Sequence, residues 1–386
     1  MATSWFAKLY LIMNHQKPLL SIFDAGIRAV SGRESVVRAL KNRADLKPDL
    51  IIAVGKAAGD MCLGAQAIYG RDTPAIVATK YQHAEHALHE NPCVTVIESG
   101  HPIPDENSLA AGRLMIDSIR ALPANSQLLL LVSGGASAIA EYLPEHMTLV
   151  DWQEMNRRMV ASGLNIAEIN SQRKSTSLIK DGRLLEAFSG QKSIICAISD
   201  VEGDSISTIG SGIGDINRSR ASHEVIIVAS NQTARDASAA QAHKLGLEVR
   251  HNTETLYGDV YKLSSKLGEF LRHAEKGVFI WGGEPTIGLP DSPGNGGRNQ
   301  SLGLALAKEI SGIDNIHILV AGTDGTDGPT DAAGAMVDGT TFRTPVAAQK
   351  ALDTANAGDY LESVGGRFVT GPTGTNVMDL VIAIVE

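Results

Sequence analysis

The sequence predicts an α/β protein built from two lobes with a cleft between them. Three observations support this fold class. The chain has 386 residues, enough for two domains of ordinary size. Short apolar runs alternate with amphipathic segments of helical length along most of the chain. Polar, glycine-containing loops follow these runs, as they do where strands of an open α/β sheet end at a binding site.

The first half of the chain contains five predicted strands. In each, nearly every residue is apolar, which is the pattern of strands buried on both faces of a parallel sheet. They cover residues 50–54, 75–79, 94–98, 128–133 and 193–199. Between them, residues 105–119 and 149–162 have the spacing of amphipathic helices that would cover such a sheet.

The second half repeats this pattern with five further apolar runs. They cover residues 224–229, 247–250, 278–281, 316–320 and 380–385. Residues 213–223 are polar and lack periodicity, so we expect the boundary between the lobes there. The predicted domains are therefore residues 1–220 and residues 221–386.

Composition and charge argue against several classes of protein. The net charge is −9 and no block of basic residues occurs, so a nucleic acid partner is not expected. Every apolar run is shorter than a membrane span, and residues 1–20 have the pattern of a helix and not of a secretory signal. The three cysteines are far apart in sequence, which indicates no disulfide framework and a reducing compartment. We therefore expect a cytoplasmic protein that does not enter a membrane.

The most informative segment is the loop at residues 321–334, which follows the predicted strand 316–320. It holds three carboxylates, three threonines and four glycines. Carboxylates and hydroxyls suit a hard cation such as Mg²⁺, and glycines let phosphate oxygens approach the backbone. Asp324 and Asp327 are the candidate metal ligands. A solvated turn is the alternative interpretation.

Two loops in the first half have the features of phosphate sites. At the first, Gly55 and Lys56 join a strand to a helix, where a cation lies beside backbone N–H donors. The second ends the most apolar strand and offers successive amides and two hydroxyls, a nest for an anion. Its candidate residues are Ser133, Gly134, Gly135 and Ser137. The alternatives are a surface lysine and a structural turn, and no Walker A spacing is present.

Other polar loops add candidate residues, although each of them taken alone is also compatible with a turn. They are residues 199–204 with Asp200, 282–286 with Glu284, 293–300 with Arg298 and Asn299, and 370–376 with Thr373, Thr375 and Asn376. His101 follows a predicted strand and is a candidate for the cleft wall. Residues 210–214 are rich in glycine, but no strand and helix frame them, so they do not predict a dinucleotide site.

These motifs resemble the class II glycerate kinases, whose C-terminal module is the MOFRL domain. The similarity covers nearly the whole chain, and its most specific parts lie in the second half. The matching segments are residues 54–56, 99–102, 131–135, 168–170, 198–201, 282–284, 296–300, 322–334 and 370–376. The family usually has a third glycine where Ala136 stands. The resemblance implies an N-terminal Rossmann-like parallel sheet, a C-terminal mixed-sheet α/β domain and an active site in the cleft between them.

The resemblance also implies an activity, namely transfer of the ATP γ-phosphoryl group to the 2-hydroxyl of D-glycerate with Mg²⁺. Lys56 and Arg298 match the lysine and arginine that are held to be essential in that family. Asp324, Asp327 or Asp200 would hold the cation, and one acid would accept the hydroxyl proton. The loops at 133–137 and 373–376 would bind phosphates or the substrate carboxylate, and the division between them stays open.

The expected partners are thus D-glycerate and ATP. The sequence leaves the oligomeric state open, and a homodimer is one possibility. Two other functions remain as alternatives. One is an NAD(P)H-dependent hydroxypyruvate reductase, a name that some family members carry. The other is a sugar-acid-binding protein without catalysis.

Overall fold

The structure is a computed structural model that describes residues 3–43, 45–161, 166–219 and 221–386. Residue 162 of a predicted helix, residue 220 at the predicted border and the side chains of residues 168–170 lie outside the described part. None of the helices in these ranges combines the length and the apolar character that a membrane span requires.

Helices and strands alternate along the described chain. The helices are α1 (Thr3–Ala29), α2 (Gly32–Leu40), α3 (Ala58–Tyr69), α4 (His86–His89), α5 (Glu106–Arg120), α6 (Ala136–Ile139), α7 (Leu149–Ala161), α8 (Ile166–Thr176), α9 (Arg183–Glu186), α10 (Asn231–Lys244), α11 (Val260–Arg272), α12 (Arg298–Glu309), α13 (Pro345–Asp353) and α14 (Ala357–Val364). The strands are β1 (Leu50–Val54), β2 (Ala75–Lys80), β3 (Val94–Ser99), β4 (Gln127–Val132), β5 (Lys192–Ile198), β6 (Ser222–Ala229), β7 (Val249–Glu254), β8 (Gly258–Asp259), β9 (Gly277–Gly283), β10 (Pro285–Thr286), β11 (Ile316–Gly322), β12 (Gly334–Asp338), β13 (Arg367–Phe368) and β14 (Asp379–Val385).

The chain forms two compact units. We call the first the parallel unit; it comprises Val30–Ser230 and Gly374–Asn376. The second, the mixed unit, comprises Met1–Ala29, Asn231–Thr373 and Val377–Glu386. Each unit has its own six-stranded sheet and its own apolar core.

The parallel unit contains a sheet with the strand order β3-β2-β1-β4-β5-β6, in which every pair is parallel. Every residue of β1 is buried, and so are nearly all residues of β4 and β5, which explains why the sequence shows continuous apolar runs there. The strand order reverses between β1 and β4, where Val54 pairs with Val132. Open α/β sheets bind ligands beyond the carboxyl ends of the strands at such a reversal.

The mixed unit contains a sheet with the strand order β13-β12-β11-β14-β9-β7. Its neighbours are antiparallel except for β7 and β9, which run parallel. The central strands β9 and β14 are buried along their whole length, and β11 is buried along nearly all of its length. Helices and other segments of the same protein cover both faces of these strands. An N-terminal parallel sheet followed by a C-terminal mixed sheet confirms the predicted fold class.

The units divide the chain differently from the prediction of residues 1–220 and 221–386. The predicted border would detach β6, yet β6 completes the parallel sheet by pairing with β5 from Lys192 and Ser222 onward. Helix α1 belongs to the mixed unit because its apolar face packs there. Phe23 is buried and meets Phe368 edge to face, with ring centroids 5.4 Å apart.

The parallel unit also includes three residues from near the C-terminus, Gly374, Thr375 and Asn376. The N–H of Gly32 donates to the Gly374 carbonyl at 3.2 Å. The buried hydroxyl of Thr375 donates to the carbonyl of Val30 at 2.6 Å. These bonds fix the segment against the N-terminal end of α2.

Candidate active site

The reversal in the parallel sheet brings two of the predicted phosphate loops together. The N–H of Lys56 donates to the Gly134 carbonyl at 2.9 Å, and the N–H of Ala57 donates to the Ser133 hydroxyl at 3.1 Å. Gly55 has a φ of +120°, and a side chain there would collide with Ser133. Only glycine fits both demands, so this residue permits the close approach of the loops after β1 and β4.

His101 and Lys56 both border the glycine loop after β4. Gly135 has a φ of +83°, and a methyl group there would be 3.1 Å from the His101 ring and 3.2 Å from Cγ of Lys56. Farther along the loop, the Ser137 hydroxyl is 2.9 Å from the Ser211 hydroxyl. A cation, an imidazole and a hydroxyl therefore border the same turn, as an anion site requires.

Asp200, which follows β5, lies against the same loop at Gly134. The amide of Asn376 donates to Oδ2 of Asp200 at 3.3 Å. A methyl group at Gly134 would overlap both the Asp200 carboxylate and the Asn376 amide. The structure thus gathers six predicted residues of the parallel unit, namely Gly55, Lys56, Ser133, Gly134, Gly135 and Asp200, with Asn376 beside them.

In the mixed unit, Arg298 is fixed by two carboxylates. Its Nε donates to Oδ2 of Asp379 at 2.7 Å, and its Nη2 donates to Oδ1 at 3.2 Å. Its Nη1 donates to Oε1 of Glu284 at 2.8 Å. The fold explains this convergence, since Arg298 opens α12 while Asp379 at the start of β14 pairs with Gly283, the residue before Glu284.

The two partners of this pair lie in different environments. Asp379 is 2% exposed, and burial raises its pKa to about 6 although Arg298 acts in the opposite direction. Burial also opposes the charge of Arg298, but Asp379 and then Glu284 outweigh it and raise the arginine pKa above its ordinary value. The environment of the pair therefore stabilises the charged form of Arg298 and disfavours the charged form of Asp379. Sequence reasoning missed Asp379, whose signal was an acid at the start of an otherwise apolar strand.

Asp327 anchors the helix that carries Arg298. Its two carboxylate oxygens accept from the backbone N–H groups of Asn299 at 2.9 Å and Gln300 at 2.8 Å. The side chain of Gln300 adds a third bond to Oδ2 at 3.0 Å. Burial raises the Asp327 pKa, although these backbone donors lower it. Both oxygens are thus committed to the N-terminus of α12, which argues against a metal at this residue.

Two other predicted residues of the mixed unit, Asp324 and Thr373, make hydrogen bonds within its loops. Oδ1 of Asp324 accepts from the N–H and the hydroxyl of Thr326, both at 3.0 Å. The hydroxyl of Thr373 donates to the carbonyl of Thr323 at 2.5 Å, which ties residues 370–373 to the acidic loop. Asn299 is buried, and its Oδ1 has no hydrogen-bond partner within the described residues.

The described residues contain no group of three or more His, Cys, Asp or Glu side chains arranged to hold a metal ion. Residues 210–214 overlap a short 3-10 segment, Ile209–Ser211, and continue as a turn, so they do not form a strand-to-helix junction. The dinucleotide fingerprint that a reductase would use is therefore missing from this segment.

Comparison with known proteins identifies the family to which this chain belongs. A family described as a domain of unknown function (DUF4147) matches residues 18–244, and the MOFRL family matches residues 277–379. A D-glycerate 2-kinase of Thermotoga maritima is 32% identical, over 96% of this chain and 98% of its own length. The chain belongs to the glycerate kinase family with a MOFRL domain.

A solved structure and a further relative extend the comparison. The crystal structure of a Thermotoga maritima glycerate kinase matches with a TM-score of 0.86 and 29% identity, over 97% of this chain and 100% of the other. A family member from Agrobacterium vitis, provisionally named a hydroxypyruvate reductase, is 30% identical over 94% of this chain and 92% of its own length. The family similarity thus covers both units.

Proposed function

We propose that this protein is a glycerate 2-kinase that transfers the γ-phosphoryl group of ATP to the 2-hydroxyl of D-glycerate. The observation that carries the proposal is a pair of positioned cations, each on a loop that matches the family. Lys56 lies at the strand reversal beside a glycine loop, and Arg298 is held by Asp379 and Glu284. Membership of a family with relatives named glycerate 2-kinase selects this reaction over reduction or simple binding.

Phosphoryl transfer depends on positioning and on neutralising charge on the moving group, more than on covalent chemistry. Lys56 and Arg298 would supply that neutralisation. Removal of one such group raises a barrier by roughly 3 to 5 kcal/mol when it acts mainly in the transition state. Arg298 is suited to this role because Asp379 and Glu284 hold the guanidinium in place before substrate arrives.

Carboxylates on two loops fit the second part of the chemistry. Mg²⁺ with a nucleotide takes one or two protein carboxylates and fills its other positions with phosphates and water. Asp324 is our candidate for such a carboxylate, whereas the commitment of Asp327 to α12 leaves it a positioning role. When bound, Mg²⁺ would neutralise phosphate charge. Asp200, steadied by Asn376, is our candidate for the acceptor of the hydroxyl proton.

The other predicted residues complete the proposal. Gly55, Ser133, Gly134, Gly135 and Ser137 would bind phosphate groups, and Glu284, Asn299, Thr373, Thr375 and Asn376 would shape or line the binding surfaces. Thr373 and Thr375 would act through the loop bonds of their hydroxyls. A cytoplasmic location suits three free cysteines, two of them buried. A homodimer stays a prediction.

Phosphorus NMR after incubation with ATP·Mg²⁺ and D-glycerate tests the proposal directly. We expect 2-phosphoglycerate as the product and not 3-phosphoglycerate. Lys56→Ala should lower kcat by about a hundredfold to several thousandfold, and the matched control Lys47→Ala, an exposed lysine of the same unit, should leave it unchanged.

Near-normal turnover by Lys56→Ala would exclude Lys56 from the reaction. If the wild-type protein made no phosphoglycerate but consumed NAD(P)H with hydroxypyruvate, the reductase alternative would replace the kinase. Binding of glycerate with neither reaction would indicate a non-catalytic protein.

A further inference from the structure

A cavity of about 750 Å³ lies in the parallel unit beside the glycine loop that follows β4. Gly135 and Ser137 of that loop form part of its wall, and so does His101. Because Lys56 lies against the same Gly135, the cavity ends next to the cation that we assign to phosphoryl transfer. A three-carbon acid would fill only a small part of this volume, which is in the range of nucleotide-sized sites.

Part of the cavity lining is apolar. Pro102, Ile103 and Pro104 line it, and Ile103 is 67% exposed. Trp152 lines it as well, although only 1% of its surface is exposed to solvent. The ammonium group of Lys180 lies 5.3 Å from the centroid of the Trp152 ring, which fixes the ring in place.

The position of Lys180 is itself fixed by a buried ion pair. Its Nζ donates to Oε2 of Glu141 at 2.5 Å, and both side chains are at most 1% exposed. Ser177 also donates to this carboxylate. The indole N–H of Trp152 has no hydrogen-bond partner among the described residues. The wall thus combines a flat ring that cannot move easily with one unused donor.

Another part of the cavity lining is cationic. Arg157, Arg173 and Lys180 line it, and none of the described lining residues is acidic. Glu154 pairs with Arg157 and Glu141 with Lys180, so their charges are compensated. Arg173 differs because the hydrogen bond of its Nε goes to the neutral amide oxygen of Asn156. A half-buried guanidinium whose bonded partner is neutral is suited to a phosphate group.

A lining that is partly apolar and partly cationic selects the class of ligand. D-Glycerate is polar throughout and offers nothing to the proline and tryptophan residues. A purine nucleotide presents a flat base at one end and phosphates at the other, which matches both parts of the lining. We infer that this cavity binds the nucleotide, with the base toward Trp152 and Ile103 and the phosphates toward Arg173 and the Gly135–Ser137 loop.

This inference rests on the proposed kinase function, and it assigns the loop at residues 133–137 to ATP and not to glycerate. The terminal phosphoryl group would then lie beside Gly135, within reach of Lys56 and His101. His101 would be a positioning residue that limits one flank of the loop.

Isothermal titration with Mg²⁺ and the non-hydrolysable ATP analogue AMP-PNP, in the absence of glycerate, tests the assignment. Arg173→Gln should weaken binding of the analogue by about tenfold or more, because a charge-assisted bond to phosphate is lost. The KM for ATP should rise in parallel, while the KM for D-glycerate changes by less than about twofold. The matched control is Arg113→Gln, since the Arg113 side chain is 72% exposed on α5.

A second variant covers the case in which Arg173→Gln does not fold. Ile103→Asp changes an exposed position, so the protein should still fold. It should weaken binding of AMP-PNP because it places a carboxylate at the apolar part of the lining. Val346→Asp, at a residue that is 88% exposed in the mixed unit, is its control.

The assignment is overturned if folded Arg173→Gln, or Ile103→Asp where the former fails to fold, binds AMP-PNP as the wild type does. It is also overturned if the KM for glycerate rises while that for ATP stays constant. The binding experiment does not depend on turnover, so it tests the nucleotide site separately from the proposed function. If the wild-type protein made no phosphoglycerate while the variants lost affinity for AMP-PNP, the proposed function would be refuted and the nucleotide site supported.

Discussion

Replacement of Asp379 by asparagine is expected to separate the stability of the protein from its activity. Burial raises the pKa of Asp379 to about 6 despite the two hydrogen bonds from Arg298. The folded protein therefore binds the proton of this carboxyl more tightly than the unfolded chain does. Its contribution to stability is fully present below the unfolded pKa of about 3.9 and is lost as the pH rises through about 6.

The magnitude follows from these two values. A rise from about 3.9 to about 6 corresponds to roughly 3 kcal/mol by which the folded state disfavours the ionised carboxyl at neutral pH. Asparagine has nearly the same shape and no charge, so it avoids this cost. Arg298 is not stranded by the change, because Glu284 remains bonded to it and 34% of its side chain is exposed. We therefore expect Asp379→Asn to be at least as stable as the wild type at pH 7.

Activity should change in the opposite direction. Without the bidentate carboxylate the guanidinium loses its fixed position, and displacement of a catalytic group by about 1 Å can cost roughly a hundredfold in rate. We expect kcat to fall by about tenfold to a hundredfold. In the wild type, kcat should fall as the pH drops below about 6 and Asp379 is protonated, and this limb should be missing from the variant.

Thermal unfolding between pH 4 and pH 8 and a coupled assay for phosphoglycerate measure the two effects. The control is Glu309→Gln, which removes the carboxylate of another arginine pair of the mixed unit, 2.9 Å from Arg272. It should leave kcat and its pH dependence unchanged. A variant at Asp379 that unfolds several degrees below the wild type at pH 7, or that keeps full activity, would refute the reasoning.

Two further changes test groups that act by positioning others. Asp327→Ala removes the acceptor for two backbone N–H groups of α12 and should lower the free energy of unfolding by about 1 to 3 kcal/mol in urea titrations. The control Asp314→Ala, at an exposed site, should not lower it. If Asp327→Ala were as stable as the wild type, water would be replacing the carboxylate. Glu141→Gln leaves the ammonium of Lys180 buried without its counter-ion and should lower the free energy of unfolding by about 3 to 5 kcal/mol. The double variant Glu141→Leu/Lys180→Met, which replaces both charges, should recover most of that loss, and no recovery would contradict this account of the pair.

Much of the fold could be predicted because buried strands leave continuous apolar runs. The predicted runs at residues 50–54 and 316–320 correspond to β1 and to most of β11. Strand direction has no such signal, since antiparallel strands that are covered on both faces are equally apolar. The short strand β12 was missed because its five residues, Gly334–Asp338, follow a loop rich in glycine and threonine.

Part of the site was predictable for a similar reason. Lys56 and Ser133 follow neighbouring parallel strands, and strand ends on one edge of a sheet bring their loops together. Asp379 and Asp327 were harder to interpret. A single acid at the start of a strand has no distinctive pattern, and an acid within an acidic loop shows its role as a helix cap only when its partner, 28 positions earlier at Asn299, is known.

The inclusion of Gly374, Thr375 and Asn376 in the parallel unit has a consequence for biosynthesis. A growing polypeptide can assemble most of that sheet after residue 230 has left the ribosome, but the hydrogen bonds to Val30 and Asp200 need residues 374–376, which are made much later. A nascent chain that stalls or is cleaved between these points would leave the glycine loop without Asn376. Synthesis through residue 376 is therefore a condition for a complete candidate pocket.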